Sequence, residues 1–372
     1  MIPHARIKMG QEELDAIGET LEAGYVAMGP AVQRFEDKFA RYLGVKYAVA
    51  TSSCTAALHL SMLALGVGPG DEVITTPMSW IASANAIVYC GAKPVFVDIC
   101  GETLNMNFDL VGEAISPRTK AILPVHLYGN PCDTYDLPAR VEESIPVVAD
   151  CAHAIEAEID SATGSLNVAQ WGTISCYSFW GTKNLSTGEG GMAVTNDEKL
   201  ARRLKELRNF GLKGGGRRPD SQYEQVSLGF KYAMSDIQAT VGLVQLKRLR
   251  ERYKLRVQAA AIYDVLLSDI YGVKPVGRNP WGRHAYHLYA VLVSRDRDMI
   301  VSELRAKGIG AGIQYRAIHL EPYYQKTFGF HEGMFPVAED AGRRVLTLPF
   351  WPEITEAEQT TVVNNLRELL CH

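Results

Sequence analysis

The sequence predicts an α/β protein: a mainly parallel central sheet with helices on both faces, followed by a smaller α+β C-terminal domain. Three observations carry this. Between about residues 45 and 195, short apolar runs alternate with helix-like stretches, the pattern of parallel strands buried on both faces. Beyond about residue 255 strands and helices follow in a mixed order. A length of 372 residues suits two domains, or one large α/β domain with an appendage. The expected division is a large domain over 1–250, including an N-terminal helical segment, and a small domain over 251–372.

The elements follow in chain order. An amphipathic helix is expected over Glu12 to Leu21, then the turn Gly24-Tyr25-Val26-Ala27-Met28-Gly29-Pro30, then a second helix through Phe39. The apolar runs are Tyr47 to Ala50, Val73 to Thr75, Pro94 to Asp98, Ala121 to Val125, Pro146 to Asp150, Thr173 to Phe179 and Gly191 to Thr195. Helix-like segments between them include Ala56 to Leu65, Trp80 to Tyr89 and Asp109 to Ile115. Leu200 to Phe210 and Ser235 to Arg256 read as longer helices, and the polar, Gly- and Arg-rich stretch Lys213 to Gln225 as a mobile loop. In the C-terminal part, Tyr286 to Val293 and Ile309 to Tyr315 read as strands, Asp298 to Lys307 and Thr355 to Leu370 as helices. In a sheet of this kind catalytic groups belong at the carboxyl ends of the strands.

Composition excludes several classes. The net charge of −4 leaves no basic footprint for nucleic acid or an anionic membrane. Met1 to Gly10 has no apolar core, so no signal peptide is expected, and no apolar run is long enough to span a bilayer. The cysteines, Cys54, Cys90, Cys100, Cys132, Cys151, Cys176 and Cys371, are scattered and form no C-x-x-C pair. Neither a disulfide framework nor a metal site is expected, and a reducing cytoplasm is the natural home. Cys54 and Cys151 read as small buried apolar residues.

Four features carry the chemistry. Ser178-Phe179-Trp180-Gly181-Thr182-Lys183 places a lysine just beyond a strand and before a glycine-rich turn. Among Trp, Phe and Gly an ammonium loses hydration and its pKa falls, which suits Schiff-base formation with an aldehyde; the bland alternative is a surface-loop lysine. Thr51-Ser52-Ser53-Cys54-Thr55-Ala56 joins a strand end to an apolar helix, offering free amides and a helix dipole to a phosphate, or merely an N-cap. Asp150 ends a buried strand, where a carboxylate needs a cationic partner such as a protonated heteroaromatic nitrogen; the alternative is a helix N-cap, and His153 either orients Asp150 or packs in the core. Ser79-Trp80 follows another strand end, where the indole would stack on a flat ring or cap the sheet. Ser178 would give its hydroxyl to a phosphate. Phosphate cradle, ring stacker, acid for a pyridine nitrogen and Schiff-base lysine together form the requirement list of pyridoxal 5′-phosphate.

The chain resembles the DegT/DnrJ/EryC1/StrS family of sugar aminotransferases, within fold-type I pyridoxal phosphate (PLP) enzymes. The stretches carrying the resemblance are Gly29-Pro30 with Phe35-Glu36, Ser53 to Leu58, Gly70 to Ile74, Gly91 to Asp98, Pro124 to His126, Asp150 to Ala154, Ser178 to Gly191, Gly229 to Ala239 and His319 to Tyr324. Within the family it looks most like enzymes that aminate a UDP-4-keto-pentose to UDP-4-amino-4-deoxy-L-arabinose, through Met28-Gly29-Pro30, Gly229-Phe230-Lys231-Tyr232 and Gly312 to Ala317.

The resemblance implies that Lys183 forms the Schiff base, Asp150 pairs with the pyridinium nitrogen, Trp80 stacks on the ring, and the Cys54 and Thr55 amides with Ser178 hold the phosphate. It implies a homodimer in which a residue near Gly229 reaches the neighbouring site. Lys231 stands where many members have Asn, and Ala233 where the arabinose-type enzymes do; Lys231 would substitute by charge. Tyr25 and Met28, with Tyr315, Arg316 and His319, are the expected substrate residues, Arg316 and His319 meeting the diphosphate or the donor carboxylate. The implied reaction moves the amino group of L-glutamate to a keto carbon, C4 above C3, of a nucleotide sugar, cycling the cofactor through its pyridoxamine form (PMP), for cell-surface polysaccharide, lipid A or related amino-sugar synthesis. The alternatives are a PMP-dependent sugar dehydratase, whose family relatives carry His in place of Lys183; a non-catalytic PLP sensor, disfavoured because no DNA-binding segment precedes the fold; and a nicotinamide oxidoreductase, which lacks its G-x-G-x-x-G after the first strand.

Overall fold

The computed structural model describes residues 1–132, 145–161, 164–216 and 222–371. Two helices, α1 (Gln11–Glu22) and α2 (Pro30–Leu43), precede the sheet. Strands β1 (Tyr47–Thr51), β2 (Glu72–Thr75), β3 (Lys93–Phe96), β4 (Thr119–Leu123), β5 (Val148–Asp150), β8 (Ile174–Ser178) and β9 (Gly191–Thr195) build it, with the hairpin β6 (Glu158–Ser161) and β7 (Gly164–Asn167) inserted between β5 and β8. β2 lies parallel between β3 and β4. Parallel bridges Ile122↔Val147 and Val125↔Asp150 join that group to β5, which pairs parallel with β8; β9 is antiparallel to both β8 and β1. The order is therefore β3-β2-β4-β5-β8-β9-β1, with β9 alone reversed among the described strands. The carboxyl ends of β1, β5 and β8 and the start of β9 consequently share one edge.

Strand alternation sends side chains to two cores. Ile174 and Cys176 of β8 join Val49, Val73, Val148 and Ala193 beneath α3 (Cys54–Ala64), α4 (Ala82–Tyr89) and the helix Glu198–Arg208. Tyr177 and Phe179 face the opposite layer with Phe35 and Phe39 of α2 and Leu246 and Leu249 of the helix Asp236–Leu267. A third core, holding Ala259, Tyr263, Val291, Ile300, Leu348 and Val362, lies under the C-terminal sheet of β10 (Val273–Pro275), β12 (Tyr289–Val293) and β13 (Val345–Leu348).

The expected boundary at 250/251 lies within one unbroken helix, Asp236–Leu267, which leaves one core after Leu249 and enters another at Ala259. Ile2 bridges Ile309 and packs on the C-terminal core, and β11 (Gly282–Arg283) pairs with β6, so a segment of each half reaches into the other. Several expectations about single elements need correction. Ile309 to Tyr315 is not a strand; only the bridges Ile2↔Ile309 and Gly312↔Thr347 form there. Tyr286 has φ 50°, which no strand accommodates, so β12 starts at Tyr289. α4 starts at Ala82, after a turn in which Ser83 N–H bonds to Trp80 C=O. The hairpin β6–β7 was not expected. Within Lys213 to Gln225, residues 217–221 lie outside the described residues, and Lys213 pairs with Glu224 at 2.8 Å.

Candidate active site

The strand-end edge gathers the site. At the end of β1, Thr51 donates its hydroxyl to Ser53 C=O at 2.9 Å, and Ser53 Oγ caps α3 by accepting from Ala56 N–H at 3.1 Å. Ala57 N–H bonds Ser53 C=O. The Cys54 and Thr55 amides have no acceptor among the described residues and open outward at the positive end of the helix. Gly191 makes this packing possible: a Cβ there would overlap Ser53 C and Cys54 N. Ser178, paired in register with Gly191, lies beside the same turn, its Oγ 3.4 Å from Trp180 N.

Beyond Ser178 the chain turns, with Lys183 N–H on Trp180 C=O at 2.8 Å. The next residue pins the loop, Asn184 Nδ2 donating to Ala285 C=O at 2.9 Å. Lys183 is half-buried. Loss of hydration lowers its pKa from 10.5 to about 8, against the opposing pull of Cys54 and Asp150. The unprotonated, nucleophilic form of its amine is therefore more accessible than in an ordinary lysine.

Asp150, 5% exposed at the end of β5, faces the same space. Burial raises its pKa; hydrogen bonds from Ala152 N–H (3.0 Å) and Ser83 Oγ–H (2.8 Å) and the charge of Lys183 oppose the rise. His153 accepts Tyr128 N–H on Nδ1 at 3.1 Å, so the neutral ring carries its proton on Nε2, 3.4 Å from Tyr315 Oη. Burial, then Lys183, keeps His153 neutral by lowering its pKa well below the usual value. The Tyr315 ring lies 13° from the His153 plane with centroids 6.3 Å apart, and 6.0 Å from the Trp80 ring. His287 packs on His153 at 4.4 Å and bonds Asn184 Oδ1 through Nδ1 at 3.3 Å.

Lys183, Asp150, His153, Ser178, Trp80, Tyr315 and the Ser53-Cys54-Thr55 turn thus converge. Cys54 and Cys151 are buried free thiols, and burial pushes both pKa values up, so they serve as small packing residues. The structure encloses His319: its side chain is 0% exposed, bonded through Nε2 to Glu339 at 2.9 Å and packed on Phe335. Arg316 is exposed and 3.6 Å from Asp298. Lys231 is exposed, 3.3 Å from Asn209 Oδ1 and over the Phe210 ring. Tyr25 and Met28 lie on the loop before α2, which Asp236 fixes by accepting N–H bonds from Gly29, Ala31 and Val32. Sequence reasoning missed Ser83, Asn184, His287 and the Tyr128 amide; the Ser79/Ser83 spacing of four was the one visible signal.

The residues fit pyridoxal 5′-phosphate. A buried carboxylate held by two donors awaits a cationic nitrogen, two open amides await a phosphate, and an amine poised near neutrality awaits an aldehyde. Among the described residues no group of three or more His, Cys, Asp or Glu is placed to hold a metal ion, and no helix is long and apolar enough to cross a membrane.

The model of the DegT/DnrJ/EryC1/StrS aminotransferase family matches residues 7–367. The chain is 39% identical over 381 residues to the spore coat polysaccharide biosynthesis protein SpsC of Bacillus subtilis, covering 99% of this chain and 97% of that one. The aminotransferase TlmJ from Streptoalloteichus hindustanus superposes with a TM-score of 0.92 at 34% identity, over 100% of this chain and 99% of TlmJ. The putative sugar aminotransferase Spr1654 from Streptococcus pneumoniae, in its PMP form, superposes with a TM-score of 0.93 at 28% identity, over 99% of both chains.

Proposed function

Since the chain belongs to the DegT/DnrJ/EryC1/StrS family of sugar aminotransferases, with the fold-type I architecture and pyridoxal 5′-phosphate as cofactor, we propose that it transfers the amino group of L-glutamate to a keto carbon, C4, of a nucleotide-activated sugar. The observation that carries this reading is the pairing of Lys183, whose pKa is lowered to about 8, with the buried Asp150 carboxylate across one small site.

The bound cofactor supplies an aldehyde that condenses with amines and a ring that accepts electrons when a Cα proton leaves. Asp150 Oδ1 and Oδ2 hold a proton at the ring nitrogen. The Cys54 and Thr55 amides and Ser178 Oγ–H bind the phosphate. Trp80 would stack on one face of the ring. His153 Nε2–H and Tyr315 Oη orient polar groups at the ring edge. Lys183 Nζ takes the Cα proton as general base and returns one as general acid. Two substrates treated in turn at one site give ping-pong kinetics.

The proposed assembly is a cytoplasmic homodimer. Phe210, Tyr223, Val226 and Leu228 are all exposed beside Lys231, as suits a face covered by a second copy that receives Lys231 at its phosphate. The buried free thiols Cys54, Cys90, Cys151 and Cys176 suit a reducing compartment. The division near residue 250 stands as a proposal about folding units, with Asp236–Leu267 as their shared strut. The acceptor is proposed to be read by Tyr25, Met28, Tyr315 and Arg316.

The test is amine transfer from L-glutamate over a panel of UDP-, dTDP- and GDP-linked 4-keto and 3-keto sugars, with product regiochemistry by NMR. A 4-amino nucleotide sugar is the expected product, and it must vanish in Lys183→Ala. A C3 amine, or activity only on free sugars, would replace the reading.

A further inference from the structure

We propose that Ser79 and Ser83 form a directed hydroxyl relay that holds the Asp150 carboxylate in its ionised, ring-facing form, which makes Ser83 a positioning residue for the reaction. The proposal rests on the reading of Asp150 as the partner of the cofactor ring nitrogen.

Ser83 is buried at the second residue of α4, and Ser79 is buried in the turn before it. Ser83 Oγ lies 2.8 Å from Asp150 Oδ2, and Ser79 Oγ lies 3.0 Å from Ser83 Oγ. An ionised carboxylate only accepts, so the Ser83 proton points at Asp150. Ser83 has then spent its one proton, and the Ser79 contact must run from Ser79 to Ser83. Direction is thus fixed along the whole chain. A hydroxyl that accepts one hydrogen bond donates the next more strongly, and bonds to a charged acceptor are the stronger kind.

Ala152 N–H holds the other oxygen at 3.0 Å, so both ends of the carboxylate are fixed by protein donors. The titratable groups facing Asp150 are Lys183, Cys54, Cys151, Cys176 and Tyr315. The thiols and the phenol carry no positive charge. Lys183 opposes the desolvation of Asp150 through its charge, and the Ala152 amide and the hydroxyl relay oppose it through hydrogen bonds that do not depend on the protonation of Lys183.

The experiment follows the Asp150 carboxyl carbon by NMR against pH in cofactor-free protein labelled at aspartate, assigned with Asp150→Asn, and in parallel the affinity of the protein for pyridoxal phosphate. In Ser83→Ala the carboxyl titration is expected to rise by about one pH unit, and affinity to fall about tenfold. Ser79→Ala is expected to move both in the same direction by less, and it carries the test if Ser83→Ala does not fold. Ser83→Thr keeps the hydroxyl and is expected to stay within about twofold of the original affinity. Unchanged titration in both alanine variants overturns the relay, as does a Ser83→Thr variant as weak as Ser83→Ala. Asp150→Asn separates the premise: if it binds pyridoxal phosphate undiminished, the reading of Asp150 fails and the relay with it. If it binds weakly while the serine variants do not, the relay alone is overturned.

Discussion

At the scale of single residues, the site depends on keeping charged groups short of water. Lys183 has its pKa lowered to about 8 from 10.5, first by lost hydration. Between those values the unfolded chain holds a proton that the folded, cofactor-free chain does not, so stability rises with pH across that window. Below it both states are protonated, and burying the ammonium is a fixed penalty. Lys183→Met removes the group. The stability difference, original minus variant, is therefore expected to grow from pH 8 to pH 10, measured as urea midpoints of the cofactor-free proteins. A difference that stays flat would mean that the amine keeps its water.

At the scale of elements, β9 and α3 make the phosphate cradle only because Gly191 has no side chain. A Cβ would overlap the Ser53 carbonyl carbon and the Cys54 amide nitrogen, both backbone atoms that cannot swing aside. Gly191→Ala must push the first turn of α3 away from β9. The expected outcome is a destabilisation of about 1–3 kcal/mol, seen in the melting of cofactor-free protein. Phosphate-dependent affinity should fall as well: pyridoxal phosphate is expected to bind more weakly while pyridoxal itself is less affected. Equal losses for both ligands would place the damage outside the cradle. β5 and β8 deliver Asp150 and Ser178 by simple parallel pairing, whereas β9, reversed, brings its first residue rather than its last to the same edge.

At the scale of the whole molecule, the face carrying Phe210, Tyr223, Val226 and Leu228 is apolar and exposed, Leu228 at 82%. Covered by a second copy, such a face would become interface core. Leu228→Arg is expected to shift sedimentation from dimer toward monomer and to weaken cofactor retention in step, because Lys231 stands beside this face. A variant that sediments as monomer yet keeps the cofactor would separate assembly from the site.

Much of the site was legible along the chain. Lys183, Asp150, Ser178 and the Ser53-Cys54-Thr55 turn are each identified by what directly precedes and follows them: an apolar strand, then small or polar residues. A mainly parallel sheet and a site at its carboxyl edge follow from alternating buried runs, because parallel strands need both faces covered; the strand order came only from the pairings. What the tertiary structure decided is how residues distant in sequence meet. His319 reads as a substrate group along the chain; in the fold Glu339, twenty residues on, encloses it. Ser83 looked like one more helix residue until α4 placed it against Asp150, 67 positions away. The helix Asp236–Leu267 carries the chain across the expected domain boundary because its two halves face different cores. Local sequence determines which chemistry a residue can offer, since that depends on its own atoms and close neighbours. Whether the offer faces a cavity or a partner side chain is set by long-range packing, which the local pattern does not encode.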